Sequence, residues 1–518
     1  MKKPREYKKK GTPLAVKIIH FIGIGGIGMS GLARWFLFSP KARTILSEVE
    51  GLAHPSTRSG LPLKGRKWAV SGSDLEASEI TRDLIKEGVR VKIGHNKANI
   101  PSSASLVVYN RAIPNNNPEL LEARRRDLCV VPYAKALGDL TRMYRTVAVT
   151  GSHGKSTTTA LAALVLRALD PTVLLGTTLK EFGGKNIRIG KSEYLLLEAD
   201  DFGGAFLEYS PFCGVITTID KEHLDFYKTF SNIQRAFLQF ISRITEGGIL
   251  VVNRDDPVLH LLRSRIADFA KKKALRVLWY SRKDLAARKI WRAIKIFGEH
   301  NVSNALAAFA LGKALHIPES HILRAIGAYR GSWRRMEYRG VSHITYHISH
   351  TALKNKNKKI NTVNTGYEIR VYDDYAHHPT EIKATLAAFR EKYPHSPLIC
   401  VFQPHQAERL RLLFKEFQSA FDAADITLIL PSYRPAGRDR ENPKFNAESL
   451  VRAIQKKHPK KLIFYLKNPN NLKKALATLL HSNNLPRKSA SSPRQSAVIV
   501  MMGAGDIVRY TAQLLLSK

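Results

Sequence analysis

Short apolar segments alternate with amphipathic segments along most of the chain. The short segments are rich in Val, Ile and Leu, which is typical of strands buried on both faces, and the segments between them carry apolar residues at helical spacing. This alternation predicts an α/β fold with parallel sheets. The clearest predicted strands lie at 16–22, 195–197, 214–218, 249–252, 369–372, 398–402, 426–430 and 497–502.

The pattern divides into three α/β segments, which we expect to be domains over 12–136, 137–330 and 331–518. The length of 518 residues agrees with this number at about 150 residues per domain. Some polar stretches predict insertions, solvated loops or a disordered tail, because they cannot bury enough apolar area to fold firmly. They lie at 1–11, 39–67, 354–365 and 482–495.

Composition excludes several classes of protein. No apolar run is long enough for a membrane span, and the basic N-terminal segment lacks the apolar core of a secretory signal. The three cysteines each lie in an apolar run without metal-binding spacing, so we expect buried thiols and a cytoplasmic location.

The chain has 83 Lys and Arg against 43 Asp and Glu, which gives a net charge of +40. A field of this sign attracts nucleotides and nucleic acid. The charges are spread along the whole chain, which favours a solvated basic surface over a nucleic-acid interface. A basic nucleotide-binding protein stays open as an alternative to an enzyme.

A phosphate-binding loop is indicated at 145–159, where a β-branched run ends at Gly151 and a helix-forming segment follows. Backbone amides of such a loop cradle phosphates, Lys155 can reach the β- and γ-phosphates, and Ser156 can ligate Mg²⁺. The loop residues predicted to bind ATP are Gly151, Ser152, His153, Gly154, Lys155, Ser156 and Thr157. Gly151 lies only three residues before Gly154, which distinguishes this loop from that of an ordinary GTPase.

A second glycine-rich turn follows the first predicted strand. Its G-x-G-x-x-G pattern is carried by Gly23, Gly25 and Gly28, with Gly26 between them, and indicates a pyrophosphate site at a helix N-terminus. A ribose-binding acid is expected after the next strand, where Ser73 and Asp74 stand. Two phosphate loops suit an ATP-dependent enzyme that acts on a nucleotide-linked substrate.

Candidate metal ligands follow two predicted strands of the central segment. Glu198 and His223 stand at strand ends, where a Mg²⁺ ligand near the phosphate loop would lie. Ser156 completes the predicted set. The alternatives are an acidic strand cap for Glu198 and a structural histidine for His223.

Further polar groups stand at strand ends and helix starts in the last two segments. Asn301 and Asn304 could bind an adenine edge, although Asn301 could equally cap its helix. Arg335 could bring a cation to the ATP phosphates. The segments 373–381, 402–409 and 503–506 each follow a predicted strand, where open α/β sheets bind ligands.

These motifs, in this order, closely resemble the Mur ligase family over nearly the whole chain. The resemblance is carried by GIGGIGMSGLA, VSGSD, GSHGKSTTT, EAD, HLDFY, HNVSNALAA, RRMEYRG, DDYAHHPTEI, FQPH and GAGDI. It implies a Rossmann-like N-terminal domain that binds a UDP-linked substrate, a P-loop ATPase-type central domain and a Rossmann-like C-terminal domain.

The resemblance also implies a reaction. ATP would phosphorylate the lactyl carboxylate of UDP-N-acetylmuramate, and the amine of L-alanine would attack the acyl phosphate, with Mg²⁺ as cofactor. Lys155, His223, His378 and Arg409 would be catalytic. Asp374 and Tyr375 would belong to the ATP site, with one or the other near the ribose. His405 would belong to the UDP-substrate side and, with His378 and Arg409, shape the acceptor site.

The chain departs from the family pattern at several positions. Gln406 stands where arginine usually follows FQPH, and Phe297 replaces the usual proline before Gly-x-His-Asn. Glutamine cannot form a charged fork with a carboxylate, so serine or glycine stays open as the amino acid in place of L-alanine. The lysine that many family members carbamylate has no counterpart in 234–238. The oligomeric state is left open.

Overall fold

The computed structural model describes residues 18–42, 69–348, 363–433, 442–482 and 494–516. Among these, two compact units are formed. The first lies within Met1–Ala148, Leu169–Ala199 and Gly204–Cys213, and the second within Val149–Ala168, Asp200–Gly203 and Gly214–Lys518. The polar stretches that were expected as insertions or a tail lie wholly or largely outside the described residues.

The strands are numbered in chain order. They are β1 Ile18–Ile22, β2 Ala69–Asp74, β3 Arg90–Ile93, β4 Ala104–Tyr109, β5 Cys129–Pro132, β6 Arg145–Thr150, β7 Thr172–Leu179, β8 Lys185–Arg188, β9 Tyr194–Glu198, β10 Cys213–Ile216, β11 Ile249–Asn253, β12 Arg276–Tyr280, β13 Glu337–Ile348, β14 Val363–Asp374, β15 Leu398–Phe402, β16 Ile426–Ile429, β17 Leu462–Tyr465 and β18 Arg494–Met502.

The helices are numbered in the same way. They are α1 Ile27–Phe38, α2 Glu79–Lys86, α3 Pro118–Arg125, α4 Tyr133–Arg142, α5 Lys155–Val165, α6 Leu224–Tyr227, α7 Phe230–Arg243, α8 Pro257–Leu261, α9 Arg263–Lys272, α10 Leu285–Ala293, α11 Glu299–Ala314, α12 Glu319–Ala328, α13 Pro379–Lys392, α14 Ala407–Leu412, α15 Phe414–Phe417, α16 Ala447–Lys457, α17 Leu472–Ser482 and α18 Val508–Leu516. No helix among the described residues combines the length and apolar character needed to cross a bilayer.

The strands form three sheets. Their orders are β3-β2-β1-β4-β5, β12-β11-β10-β6-β9-β7-β8 and β13-β14-β18-β15-β16-β17. The α/β class with three sheets is therefore confirmed, and the domain boundaries stay predictions. The sheets are not wholly parallel as the pattern suggested, because β7 pairs with β8 and β13 with β14 in antiparallel hairpins. Consecutive strands can pair directly in this way without a crossover helix.

The first sheet places the glycine-rich turn at the end of its central strand. β1 is buried along its whole length, since β2 and β4 flank it in parallel. The sequence pattern predicts a helix from Met29, and α1 begins two residues earlier, at Ile27. This order, with a turn between the first strand and helix, is the Rossmann arrangement that points a helix N-terminus at a ligand.

The third sheet is covered on both faces. Leu398, Cys400 and Phe402 of β15 pack into one apolar cluster, and Ile399 and Val401 pack into another. Since successive side chains of a strand point to opposite faces, the two clusters are the two helical layers of a doubly wound sheet. The continuous apolar run in the sequence is explained by this two-sided burial.

Two local expectations need correction. The apolar residues after the phosphate loop predict a helix over 160–169, but the α-helix begins at Lys155 and ends at Val165, and a 3-10 turn covers Leu166–Leu169. The threonines at the start of this helix are buried, so an apolar pattern places its start too late. The thiol of Cys129 is half-buried, whereas Cys213 and Cys400 are buried as expected. Cys129 opens an edge strand, where fewer elements cover it.

We expect Phe421→Ala to destabilise the C-terminal domain by about 3–5 kcal/mol, because this fully buried ring packs on Phe402 and its loss leaves a cavity. Urea unfolding followed by fluorescence measures the change. The matched control is Leu516→Ala, whose side chain is 80% exposed and whose loss should change stability by no more than about 0.5 kcal/mol. Equal effects of the two variants would contradict the two-layer packing.

Candidate active site

The turn from Gly151 to Gly154 joins β6 to α5. Gly151 has a φ of 138° and Gly154 a φ of 83°, a region that favours glycine. A Cβ on Gly154 would lie 2.3 Å from Oδ1 of Asn304, and one on Gly151 would lie 2.1 Å from Oγ1 of Thr217. Both glycines are therefore needed for conformation and for close packing of the loop.

Lys155 folds back onto its own loop. Its Nζ donates to the carbonyl of Gly151 at 2.6 Å and to Oδ1 of Asp201 at 2.8 Å. Asp201 is buried, and its other carboxylate oxygen has no hydrogen-bond partner among the described residues. A buried anionic oxygen of this kind is costly unless a cation or donor meets it. The carboxylate thus marks a place where a cation fits.

Asp200 and His223 lie beside Asp201. One ligand atom from each of the three residues comes within 4.8 Å of the others, which is a spacing that could hold a metal ion. Carboxylate oxygens are the ligands that Mg²⁺ prefers. The sequence predicted His223 as a metal ligand but not Asp200, which stands in the EAD motif, or Asp201, which follows it. The metal role of all three residues stays a prediction.

Glu198 lies in the first unit, at the end of β9. Its carboxylate accepts a hydrogen bond from the amide of Gly176 at 3.0 Å, and a Cβ on Gly176 would lie 2.5 Å from the same oxygen. A fixed carboxylate at a strand end agrees with a ligand position, and its role in metal binding stays a prediction.

His153 is held between two carboxylates. Its Nε2 is 2.9 Å from Oδ2 of Asp220, and its Nδ1 is 3.4 Å from Oε1 of Glu381. Burial lowers the pKa of His153, but the neighbouring carboxylates outweigh burial and raise it to about 10. The imidazole is therefore a cation that links the phosphate loop to α13.

His378 packs on His153 with a ring distance of 4.8 Å and stays neutral, because burial lowers its pKa. Its Nδ1 accepts a hydrogen bond from the amide of Thr380 at 3.3 Å, so the hydrogen is on Nε2. That Nε2 is buried and has no hydrogen-bond partner among the described residues. The structure thus places His378 beside the phosphate loop.

A cavity of about 540 Å³ opens beside the phosphate loop in the second unit. Its size lies within the range of pockets that bind nucleotide-sized ligands. Among its lining residues are Gly154, Thr157, Asn301, Asn304, Arg335 and Asp374. Predicted ATP-binding residues from the central and C-terminal segments are brought together here.

Asn301 and Asn304 share one side of α11. α11 begins at Glu299 with Gly298 as its cap residue, so Asn301 does not cap the helix. The amide of Asn301 donates to the carbonyl of Phe297 at 2.8 Å, and Oδ1 of Asn304 accepts from Thr158. The two side chains are fixed in the cavity wall by these bonds.

Asp374 ends β14 and lines the same cavity, and Tyr375 follows it in the chain. Asp374 accepts backbone hydrogen bonds from Met336 at 2.8 Å and Ala376 at 2.9 Å, and burial raises its pKa to about 6. The ring of Tyr375 lies 4.9 Å from the guanidinium of Arg335. Arg335 in turn reaches Oγ of Ser156 at 3.3 Å. A cation is thereby placed at the phosphate loop.

A separate cluster surrounds Arg409. Its guanidinium pairs with the buried carboxylate of Glu222 at 3.2 Å and lies near Nδ1 of His405. His405 stacks on Tyr433 at 5.6 Å and faces His377 at 6.0 Å. Burial lowers the pKa of His405 to about 3, so its imidazole is neutral. His405 and Arg409 are together as predicted for an acceptor site, while His378 lies against His153.

The glycine-rich turn of the first unit is shaped by the end of β2. The amide of Gly23 donates to the carbonyl of Ser73 at 2.8 Å, and the amide of Gly25 donates to Oδ2 of Asp74 at 2.7 Å. A Cβ on Gly28 would lie 2.6 Å from the hydroxyl of Tyr133. Asp74 therefore fixes the turn itself, in addition to the ribose contact predicted for it.

Sequence reasoning missed a buried network beneath this turn. Glu119 accepts hydrogen bonds from His20 at 2.9 Å, from Ser73 at 2.7 Å and from Asn99 at 2.9 Å. Burial alone would raise the pKa of Glu119, but these donors lower it to about 2. Only the fold brings these residues together, because His20 and Glu119 are 99 positions apart.

Three family models match consecutive parts of the chain. The Mur ligase family catalytic-domain model matches residues 61–145, the Mur ligase middle-domain model matches 149–312, and the Mur ligase glutamate-ligase-domain model matches 360–505. The model for the middle domain covers the phosphate loop and the asparagines of α11.

Individual relatives extend this similarity over nearly the full length. The UDP-N-acetylmuramate–L-alanine ligase of Clostridium kluyveri is 36% identical over 509 residues, covering 95% of this chain and 96% of the relative. That of Clostridium perfringens is 34% identical over 457 residues, covering 85% and 88%. The chain belongs to the Mur ligase family.

Solved structures show the same fold. The UDP-N-acetylmuramate–alanine ligase of Thermotoga maritima superposes with a TM-score of 0.65 at 24% identity, covering 96% of this chain and 97% of that one. A murein peptide ligase from Psychrobacter arcticus gives 0.60 at 19% identity, covering 96% and 98%. The three-domain α/β architecture is common to all of them.

We expect the contribution of His153 to stability to depend on pH. The pKa of its imidazole rises from 6.5 to about 10 on folding, so its contribution is fully present below pH 6.5 and is lost as pH rises through 10. Urea unfolding of the unmodified protein and His153→Gln should show a difference in stability that shrinks from pH 6 to pH 10. Asp220→Asn should weaken this pH dependence, and a difference that does not change with pH would contradict the protonated state.

Proposed function

We propose that this chain is an ATP-dependent, ADP-forming ligase that joins L-alanine to the lactyl carboxylate of UDP-N-acetylmuramate in peptidoglycan precursor synthesis, in the cytoplasm. Relatives named for this activity match at 34% and 36% identity over most of both chains, and this observation carries the proposal. The phosphate loop beside a nucleotide-sized cavity supports the use of ATP.

The first step is transfer of the γ-phosphoryl group. A carboxylate oxygen of the substrate attacks the γ-phosphorus, and the bond from that phosphorus to ADP breaks. Both reactants are anions, so fixed positive charge must stabilise the transition state. Lys155, which precedes Ser156, and Arg335, which reaches the hydroxyl of Ser156, supply this positive charge. The Nε2–H of His378 is a donor that suits a phosphoryl oxygen.

Magnesium belongs to the same step. Asp200, Asp201 and His223 would hold Mg²⁺, with Ser156 and Glu198 as the further ligands that the family resemblance implies. The ion would supply positive charge that screens the phosphates from the attacking carboxylate. The buried oxygen of Asp201 without a hydrogen-bond partner supports this assignment.

The second step forms the amide. The amine nitrogen of L-alanine attacks the acyl carbon, the bond from that carbon to the phosphate oxygen breaks, and the nitrogen releases a proton. We assign the acceptor site to the Arg409 cluster, where Arg409 can meet the carboxylate of the amino acid. The guanidinium of Arg409 is already paired with Glu222. The uncharged Gln406 stands three residues before Arg409 in the chain.

The UDP-linked substrate is assigned to the glycine-rich turn of the first unit. The N-terminus of α1 offers backbone amides and a positive dipole to its diphosphate. Gly26 caps this helix without a side-chain hydrogen bond, so no capping side chain occupies the amides of its first turn, whereas the amide of Gly25 is already bound by Asp74. Ser73 and Asp74 fix the conformation of the turn by accepting hydrogen bonds from the amides of Gly23 and Gly25.

We expect Lys155→Ala to lower turnover at least about 100-fold, because it removes a fixed cation from the transition state. The affinity for UDP-N-acetylmuramate, measured by calorimetry, should stay within about twofold, because the diphosphate loop lies elsewhere in the chain. The matched control is Lys272→Ala, an exposed lysine at the end of α9. A folded Lys155→Ala protein that no longer binds the UDP-substrate would refute the assignment of two separate loops.

A screen of amino acids tests the proposed acceptor. Phosphate release from ATP should require both UDP-N-acetylmuramate and an amino acid, and L-alanine should give the highest kcat/KM. Competition among L-alanine, serine and glycine measures the choice directly. A higher kcat/KM for serine or glycine would assign the ligase to that amino acid, and ATP hydrolysis indifferent to both substrates would end the proposal.

A further inference from the structure

Asn186 is a buried polar residue of β8 that contacts α1, the helix that follows the glycine-rich turn. Its side chain is 1% exposed. Its Nδ2 donates to the carbonyl of Ile27 and lies 3.5 Å from Oγ of Ser30, while its Oδ1 accepts from Nη1 of Arg34 at 3.0 Å. These positions of α1 are three and four residues apart, so they form one face of the helix.

Gly31 lies on the same face of α1. A Cβ at this position would lie 2.9 Å from Nδ2 of Asn186 and 3.1 Å from Cδ2 of Leu174. Side chains of β7 and β8 therefore pack directly on the backbone of α1 at Gly31, where there is no room for a Cβ.

A buried ion pair reinforces the contact. Nε of Arg34 is 2.6 Å from Oε2 of Glu87, which follows α2, and Nζ of Lys185 is 2.8 Å from Oε1 of the same carboxylate. Arg34 is itself buried. Helices α1 and α2 are thus tied to β8 through one carboxylate.

The same hairpin also contacts Glu198. Gly176 of β7 donates its amide to the carboxylate of Glu198, and Leu174, two residues earlier in β7, pairs with Ile187 of β8. Leu197, which precedes Glu198 in β9, also pairs with Leu174. Ile187 follows Asn186 in β8, so paired backbone and one buried amide connect β9 to Ile27. These contacts fix the position of α1 relative to Glu198, because close packing and hydrogen-bond geometry leave each of them little freedom to move.

We propose that Asn186 is a positioning residue, which fixes the helix behind the diphosphate loop relative to the carboxylate of Glu198. The inference rests on the proposed function, in which α1 holds the UDP-linked substrate and Glu198 serves the ATP-dependent step. A shift of α1 would misplace the diphosphate loop relative to the carboxylate of Glu198, and misplacement by about 1 Å can cost about 100-fold in rate. Asn186 touches neither substrate in this assignment.

The test is Asn186→Ala in the full-length protein, assayed by steady-state kinetics. We expect KM for UDP-N-acetylmuramate to rise about tenfold and kcat to fall at least about tenfold, while KM for ATP changes by less than about twofold. Arg188→Ala is the matched control, because Arg188 lies on the same strand but donates to the carbonyl of Pro171 instead of α1. It should leave all three constants within about twofold.

A second variant covers loss of folding. Gly31→Ala adds a methyl group against Asn186 from the side of α1 and should give the same split between the two KM values. If the unmodified protein is active and whichever of Asn186→Ala and Gly31→Ala is folded keeps its constants within twofold, the positioning role is wrong. An equal loss in Arg188→Ala would also overturn it, since general weakening of the hairpin would then explain the effect. An inactive unmodified protein would instead count against the proposed function.

Discussion

The arrangement of the second unit depends on the pairing of the protonated His153 imidazole with two carboxylates. This imidazole belongs to the phosphate loop, and it faces the carboxylates of Asp220 and of Glu381 in α13. The cavity beside the loop is lined by residues of both the central and the C-terminal segments, so its shape requires that these segments stay together. The imidazolium of His153 carries one positive charge, and the carboxylates of Asp220 and Glu381 carry two negative charges. These partly buried charges are stable only because the imidazolium pairs with both carboxylates.

The same principle governs the other cations of the site. Lys155 pairs with Asp201, and Arg409 pairs with Glu222. Although the chain carries a net charge of +40, these two cations and His153 each have an acidic partner. In the proposed reaction, anionic substrates would meet cations that are already held in place, which lowers the reorganisation required.

Close backbone contacts set the positions of both glycine-rich loops. Gly154 lies against Asn304 in the second unit, and Gly25 lies against Asp74 in the first. In each case a polar side chain occupies the space that a Cβ would fill, and in the first unit Asp74 also accepts a hydrogen bond from the backbone amide of Gly25. Gly31 shows the same device against Asn186. The glycine patterns thus serve packing at least as much as ligand approach.

The sequence by itself determined the α/β class, the three sheets, the family and the two loops, because these are written in local patterns of apolar runs, glycines and short motifs. Only the tertiary structure decided which distant groups meet. It placed His378 beside His153, put Asp200 and Asp201 beside His223, and assembled the network around Glu119 from residues up to 99 positions apart. The antiparallel hairpin that brings Asn186 to α1 was equally hidden. The physical reason is that protonation, pairing and close contact depend on three-dimensional neighbours, which periodicity along the chain does not specify.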